Sequence, residues 1–297
     1  MRLSPSRGSV VVIRKDTTMA MYSQISYWAF RGQGIVQAMQ MAKEAGFAGI
    51  ELAVGDSGLT ASSSAAECRV LADVAKKAKL KLGSVASGLL WGANPASKDK
   101  AVRERALELT DQCLRVTAGL GCEHLLVLSG HVDVFWEPDA EVVPYDDCYD
   151  RSVTFLKAVA KMAKKHGVIA CVENVWNRFL SSPLEFRRLL KEVHSEHVQM
   201  YFDVGNVWAF GYPQHWISVL DKYIARVHVK DFRRSVGNAS GFCKLGAGDV
   251  PLKESLRLLK KIKYNGPVTA EVGPGKDDTD DRAFLRETAK KLDELLP

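Results

Sequence analysis

The 297-residue sequence has no CxxC pair: its six cysteines, Cys68, Cys113, Cys122, Cys148, Cys171 and Cys243, lie scattered. That excludes a disulfide scaffold and reads as reduced thiols in a reducing compartment. Long apolar runs are missing as well. Stretches such as Leu125 to Leu128 and Val168 to Val172 fall far short of the roughly 20 residues a bilayer-spanning helix requires. No low-complexity linker divides the chain, so a single domain is expected. At 46% hydrophobic and 26% charged residues, neither a disordered nor a fibrous chain fits.

An excess of one charge is absent over most of the length. The net charge is +6, and half of it sits in residues 1–18, where Arg2, Arg7, Arg14 and Lys15 face Asp16 alone. The rest is close to balanced, which argues against a polyanion such as nucleic acid as the partner. Residues 1–20 read as a flexible basic extension, because Met19 and Met21 stand directly before the first strand-like run. Their Arg and Ser content superficially suits a transit peptide, whereas Val10 to Ile13 is too short for a secretory signal.

From Tyr22 onward, short β-rich runs alternate with segments of helical period, the pattern of a parallel sheet with crossover helices. Eight strand candidates emerge: Gln24 to Tyr27, Gly49 to Leu52, Leu82 to Ala86, Leu125 to Leu128, Ile169 to Glu173, Gln199 to Asp203, Arg226 to His228 and Val268 to Glu271. Helical stretches between them include Ile35 to Ala45, Ala65 to Ala78, Ala101 to Gly119, Arg151 to His166 and Pro183 to Val193. Several end at glycine, as at Gly46 and Gly167. The count predicts an α/β (β/α)8 TIM barrel over residues 21–297, with a doubly wound open sheet as the other topology compatible with it.

In such a barrel the chemistry gathers at the carboxyl ends of the strands, so polar residues that terminate apolar runs are the informative ones. Glu173, Asp203, His228 and Glu271 close the last four runs, at spacings of 30, 25 and 43 residues. Each spacing suits one βα unit, the last with a long loop. Three carboxylates and an imidazole aimed at one point suit one divalent ion, Mn2+ foremost, with Mg2+, Co2+ or Zn2+ also compatible. The competing reading is that Asp203 and Glu271 cap helices and His228 is a core histidine.

The segments Glu173-Asn-Val-Trp-Asn-Arg-Phe, Tyr201-Phe-Asp-Val-Gly-Asn, Val227-His-Val-Lys-Asp-Phe and Thr269-Ala-Glu-Val, with Gly46-Phe-Ala-Gly-Ile-Glu-Leu, resemble the xylose-isomerase-like sugar (phosphate) isomerase/epimerase family. The likeness covers roughly residues 21–274 and is nearest to the branch of ketose and ketose-phosphate 3-epimerases. The resemblance implies a metal held by Glu173, Asp203, His228 and Glu271. It also implies that Glu173 and Glu271 form the acid/base pair that inverts C3 of a ketose through a cis-enediolate. Arg234 stands where that branch has a substrate-contacting arginine. Two departures turn the expectation away from a free ketohexose: Asn206 where a histidine is common, and Phe179 where free-ketose epimerases carry a glutamate.

Further expectations attach to single residues. Asn206 and Asn177 are candidate substrate contacts, and Trp28, Trp91 and Trp176, just past strand ends, could pack on sugar C–H faces or serve as core. Glu51 closes the second strand and could bond a ligand or a histidine beyond it, while Lys230 and Asp231 read as a local ion pair. Gly32 and Gly34 lack the third glycine of a dinucleotide loop. His194 with His197 reads as exposed, and His124 and His131 as core or loop. Asp277 to Asp281 reads as the start of the last helix. The resulting expectation is a cytoplasmic, homo-oligomeric isomerase acting on a small sugar or sugar phosphate, with no nucleic acid or membrane partner. Two other enzymes are compatible in outline: an aldose–ketose isomerase on the same site, and an apurinic-site endonuclease, which would want more metal ligands and a basic face. A sugar-sensing barrel without activity is the non-enzyme alternative.

Overall fold

Eight parallel strands close into a barrel in the computed structural model, which describes residues 20–276 and 278–297. The strands are β1 (Tyr22–Ser26), β2 (Gly49–Val54), β3 (Lys81–Ser87), β4 (His124–Val127), β5 (Ile169–Glu173), β6 (Val198–Asp203), β7 (Ile224–Val229) and, after a two-stranded ribbon of β8 (Asp231–Phe232) and β9 (Phe242–Cys243), β10 (Pro267–Ala270). Each pairs with its sequence neighbour in the barrel, and β10 closes the ring on β1. The extension expected over residues 1–20 lies, except for Ala20, outside the described residues.

The strands form where apolar residues run continuously, because a barrel strand is buried on both faces; β2 is buried at every position. The surrounding helices include α1 (Ile35–Ala45), α2 (Ala65–Lys77), the short α3 (Leu89–Gly92), α4 (Lys100–Gly119), α5 (Tyr145–His166), α6 (Pro183–Val193), α7 (Val204–Trp208), α8 (Pro213–Leu220), α9 (Leu252–Lys261) and α10 (Asp281–Leu295). Local chemistry sets their ends. Ser64 and Glu67 form a reciprocal capping box at the start of α2, and Asp280 accepts from two amides at the start of α10. Met39, Leu114, Leu156, Phe186, Leu256 and Phe284 fill the space between helices and sheet and are fully buried or nearly so.

Three sequence expectations shift here. Helix α5 begins six residues before Arg151, because Pro144 and the acidic Asp146 and Asp147 suit a helix N-terminus without belonging to its apolar period. Strand β2 runs to Val54, so Glu51 sits inside it rather than at its end. Strand β10 stops at Ala270, yet the Glu271 amide still donates to Val229 O at 3.0 Å, so the ladder reaches the glutamate.

Polar side chains share the barrel interior with a small apolar cluster of Ala53, Ala86, Leu126, Cys171 and Tyr201. Gln24 spans the interior, donating to Ser84 Oγ at 3.0 Å and Thr269 Oγ1 at 2.9 Å while accepting from the Gly83 amide. Toward the amino ends of the strands, Arg226 donates to His124 Nδ1 at 2.6 Å and to Gly83 O at 2.8 Å. These bonds satisfy groups that would be costly to bury unpaired, and they stack the layers beneath the site.

Candidate active site

Strand register delivers the site. His228 is level with Asp203 on β6 and with Thr269 on β10, and Glu173 ends β5 one strand further round. One donor atom from each of Glu173, Asp203, His228 and Glu271 lies within 4.8 Å of the others. His228 and Asp203 are fully buried, and the Glu271 side chain keeps one-fifth of its exposure, which opens the cluster on one side.

His228 is held from both ring nitrogens. Its Nε2 lies 2.8 Å from Glu51 Oε1, and Nδ1 faces Glu173 Oε1 at 3.1 Å and Glu271 Oε2 at 3.3 Å. Glu51 Oε2 in turn accepts from Tyr201 Oη at 2.5 Å and Ser84 Oγ at 2.7 Å. Asp203 divides its two oxygens: Oδ1 caps α7 by accepting from the Asn206 amide at 2.7 Å, and Oδ2 faces Lys230 Nζ at 3.1 Å. Helix capping and membership of the cluster, read from the sequence as rivals, are both served by one side chain.

Lys230 is the residue that sequence reasoning misplaced. Its ammonium reaches Asp203 Oδ2 and, at 2.5 Å, Glu271 Oε2. Asp231 instead accepts from the amides of Phe232, Gly246, Gly248 and Val250, at 2.8 to 3.2 Å. The alternation of a strand carries the missing signal: residue 230 follows His228 by two and so points the same way, into the barrel, while Asp231 points out. Two glycines make room. A Cβ on Gly205 would meet Lys230 Cγ at 2.4 Å, and one on Gly248 would meet Asp231 Oδ1 at 2.2 Å.

The electrostatics follow from burial and this packing of charge. Burial, and behind it the Glu271 carboxylate, pushes the Glu173 carboxyl up to about 7. Burial acts in the same direction on Glu271, but the Lys230 ammonium and His228 outweigh it and hold that carboxyl below the usual range. Burial raises Asp203 against the opposing pull of Lys230. For His228, burial opposes protonation, and Glu51 and Glu271 more than reverse it, so the imidazole binds its proton well above the ordinary range.

Residues 39–288 match the model of the family described as Xylose isomerase-like TIM barrel. The chain belongs to this family. Among curated relatives, an uncharacterized protein of Methanocaldococcus jannaschii is 24% identical over 68% of this chain and 69% of its own length. An Escherichia coli protein named "Putative L-ribulose-5-phosphate 3-epimerase SgbU" is 28% identical, over 59% of this chain and 60% of its own. Solved structures of this xylose isomerase-like barrel are also similar. An L-ribulose 3-epimerase gives a TM-score of 0.77 at 21% identity, covering 93% of this chain and 94% of its own. The D-psicose 3-epimerase of Clostridium cellulolyticum H10 gives 0.76 at 20%, covering 93% and 98%. At such identities these two likenesses speak to the fold.

The other residues singled out from the sequence of this family member take varied places. Asn206 donates its side-chain amide to Asn174 O at 3.0 Å, while Asn174 exchanges bonds with both the N–H and the C=O of Asp203, so the pair braces the aspartate. Asn177 ties down the loop after β5, donating to Gly130 O at 2.8 Å and accepting from the Phe179 amide. Arg234 lays its guanidinium over the rings of Trp208 and Tyr212, at 4.5 and 5.0 Å. Trp176 donates to Asn206 O at 2.9 Å and packs on Phe232 and Phe242. Trp91 stands between His131 and Trp136, and Trp28 is 44% exposed. His197 bonds Val168 O, and His124 lies in the lower barrel layer. No described helix is long and apolar enough to cross a membrane.

Proposed function

We propose that this protein is a divalent-metal-dependent epimerase that inverts C3 of a ketose or ketose phosphate. The observation that carries the reading is the convergence of two glutamates from strands three apart around the barrel, Glu173 and Glu271, on one point shared with Asp203 and His228. Inverting a carbon acid requires a base on one face and an acid on the other, and two carboxyl groups brought in from different strands supply that pair. The name of the Escherichia coli relative supports the same class of reaction.

The donor set fits a divalent ion. Asp203 Oδ2 and Glu271 Oε2 are buried without a well-directed hydrogen bond; the Lys230 ammonium faces both, and His228 Nδ1 lies 3.3 Å from the second. Glu173, Asp203, His228 and Glu271 would hold the ion, Mn2+ foremost among Mn2+, Mg2+, Co2+ and Zn2+. When bound, it supplies Lewis acidity that makes the carbon beside a ketone easier to deprotonate.

The residues of the chain do the rest. In one direction a Glu173 oxygen takes the C3 proton and Glu271 returns one from the opposite face; in reverse the roles swap. Glu51 keeps the His228 ring turned so that Nδ1 faces the two glutamates. Asn174 and Asn206 fix Asp203. Arg234, Asn206, Asn177, Trp28, Trp91 and Trp176 complete the proposal as the substrate-binding side. A homo-oligomeric, cytoplasmic enzyme that binds no nucleic acid belongs to the same reading.

A panel of free and phosphorylated ketoses, incubated in deuterated water with Mn2+-loaded protein, tests it. Epimeric ketose carrying deuterium at C3 is the expected product. Accumulation of aldose, or epimer without solvent deuterium at C3, would replace the reading with an isomerase or another chemistry.

A further inference from the structure

The candidate metal centre already contains a cation of its own. Lys230 Nζ lies 3.1 Å from Asp203 Oδ2 and 2.5 Å from Glu271 Oε2, with the side chain 14% exposed. The position is built rather than incidental. Gly205 leaves the space that the lysine stem fills, and the ammonium sits 5.4 Å from the centre of the Phe242 ring. The other Asp203 oxygen, Oδ1, already accepts from the Asn206 amide.

We propose that Lys230 is a resident counter-ion of the metal-free centre: its ammonium occupies Asp203 Oδ2 and Glu271 Oε2, and a divalent cation must displace it from them. This rests on the metal-dependent reading above. Four carboxyl groups, Glu51, Glu173, Asp203 and Glu271, crowd around His228 and Lys230, the cations that pair with them among the described residues. Leaving such acids without a counter-charge in a buried site is strongly unfavourable. A lysine can serve as counter-ion and then leave, since its charge sits at the end of a flexible four-carbon stem. Two cations sharing the same oxygens repel, so the resident charge lowers metal affinity in exchange for a centre that stays assembled when empty. Lys230 is therefore a positioning residue for the acids and a competitor of the metal.

Chelator-treated wild type, Lys230→Met, Lys230→Gln and Asp203→Asn proteins are titrated with Mn2+, free ion being followed by electron paramagnetic resonance, and melted with and without metal. The neutral variants at 230 are expected to bind Mn2+ at least about tenfold more tightly than wild type, with a lower melting temperature when metal-free and a wild-type-like one when loaded. A merely structural lysine would lower both melting temperatures and leave affinity unchanged or weaker. Equal or weaker Mn2+ binding by a folded Lys230→Met or Lys230→Gln protein, in a background where wild type binds and Asp203→Asn does not, overturns the displacement. If wild type binds no more tightly than Asp203→Asn, the metal centre itself fails and the inference goes with it.

Discussion

Glu51 Oε1 stands 2.8 Å from His228 Nε2, on the side of the imidazole opposite the two glutamates of the site. The arrangement makes Nε2 the donor to Glu51 and leaves Nδ1 directed at Glu173 and Glu271. A carboxylate behind a ligating histidine orients the ring and raises its basicity. Glu51 is anchored independently by Tyr201 and Ser84, and Ser84 by Gln24, so the orientation is inherited from the barrel interior.

Substituting Glu51→Gln tests that chain. An amide has one acceptor oxygen, so it cannot accept from His228 on one side and from Tyr201 and Ser84 on the other. Mn2+ affinity should fall by about 10- to 100-fold, measured by titration of the chelator-treated protein. Wild-type affinity would show that the ring needs no support from behind.

The two-base scheme has a sharper signature than loss of rate. Glu173→Gln and Glu271→Gln should each lower kcat by about 100- to 10,000-fold while circular dichroism and melting stay near wild type. Each variant should still exchange the C3 proton of one epimer with solvent and not of the other, read by proton magnetic resonance in deuterated water. Loss of exchange from both epimers in the same variant would point to a single base.

Stability should weaken on acidification through His124. Burial, and the Arg226 guanidinium beside it, hold its pKa well below the ordinary 6.5, since Nδ1 accepts from Arg226 and must stay unprotonated. An unfolded chain binds that proton below about 6.5 and the folded one does not. The contribution is therefore complete above the unfolded pKa and is lost as pH falls below it toward the folded pKa. Urea unfolding at pH 5 and pH 7 should show a smaller pH difference for His124→Gln, whose amide oxygen can still accept from Arg226, than for wild type.

Gly205→Ala should cost about 1 to 3 kcal/mol, the range for forcing extra atoms into a packed interior. The added Cβ would meet Lys230 Cγ at 2.4 Å and Lys230 O at 2.6 Å, and the second of these is backbone. Chemical denaturation measures the loss, and an unchanged midpoint would mean that the start of α7 relaxes freely.

Much of this architecture is legible in the amino-acid sequence. Each of the eight strand candidates overlaps a barrel strand, with ends shifted by a residue or a few, and Ile35–Ala45 and Pro183–Val193 reproduce α1 and α6 residue for residue. Apolar continuity marks strands, helical period and capping mark helices, and both are local properties. For the same reason Glu173, Asp203, His228 and Glu271 stood out as polar residues ending apolar runs, and the barrel gathers them.

What local pattern leaves open is which way a group is pointed by residues far along the chain. Glu51 meets His228 across 177 positions and Arg226 meets His124 across 102, contacts created only when the sheet closes on itself. Lys230 is the clearest case. Its neighbour in sequence offered Asp231 as an ion-pair partner, whereas strand alternation and the space above Gly205 turn it to Asp203 and Glu271. Sequence by itself determined the elements, their order and the four strand-end groups, because those depend on periodicity and apolar runs. Only the tertiary structure decided how the charges pair, because a buried charge is paired by whichever opposite group the closed barrel brings within reach.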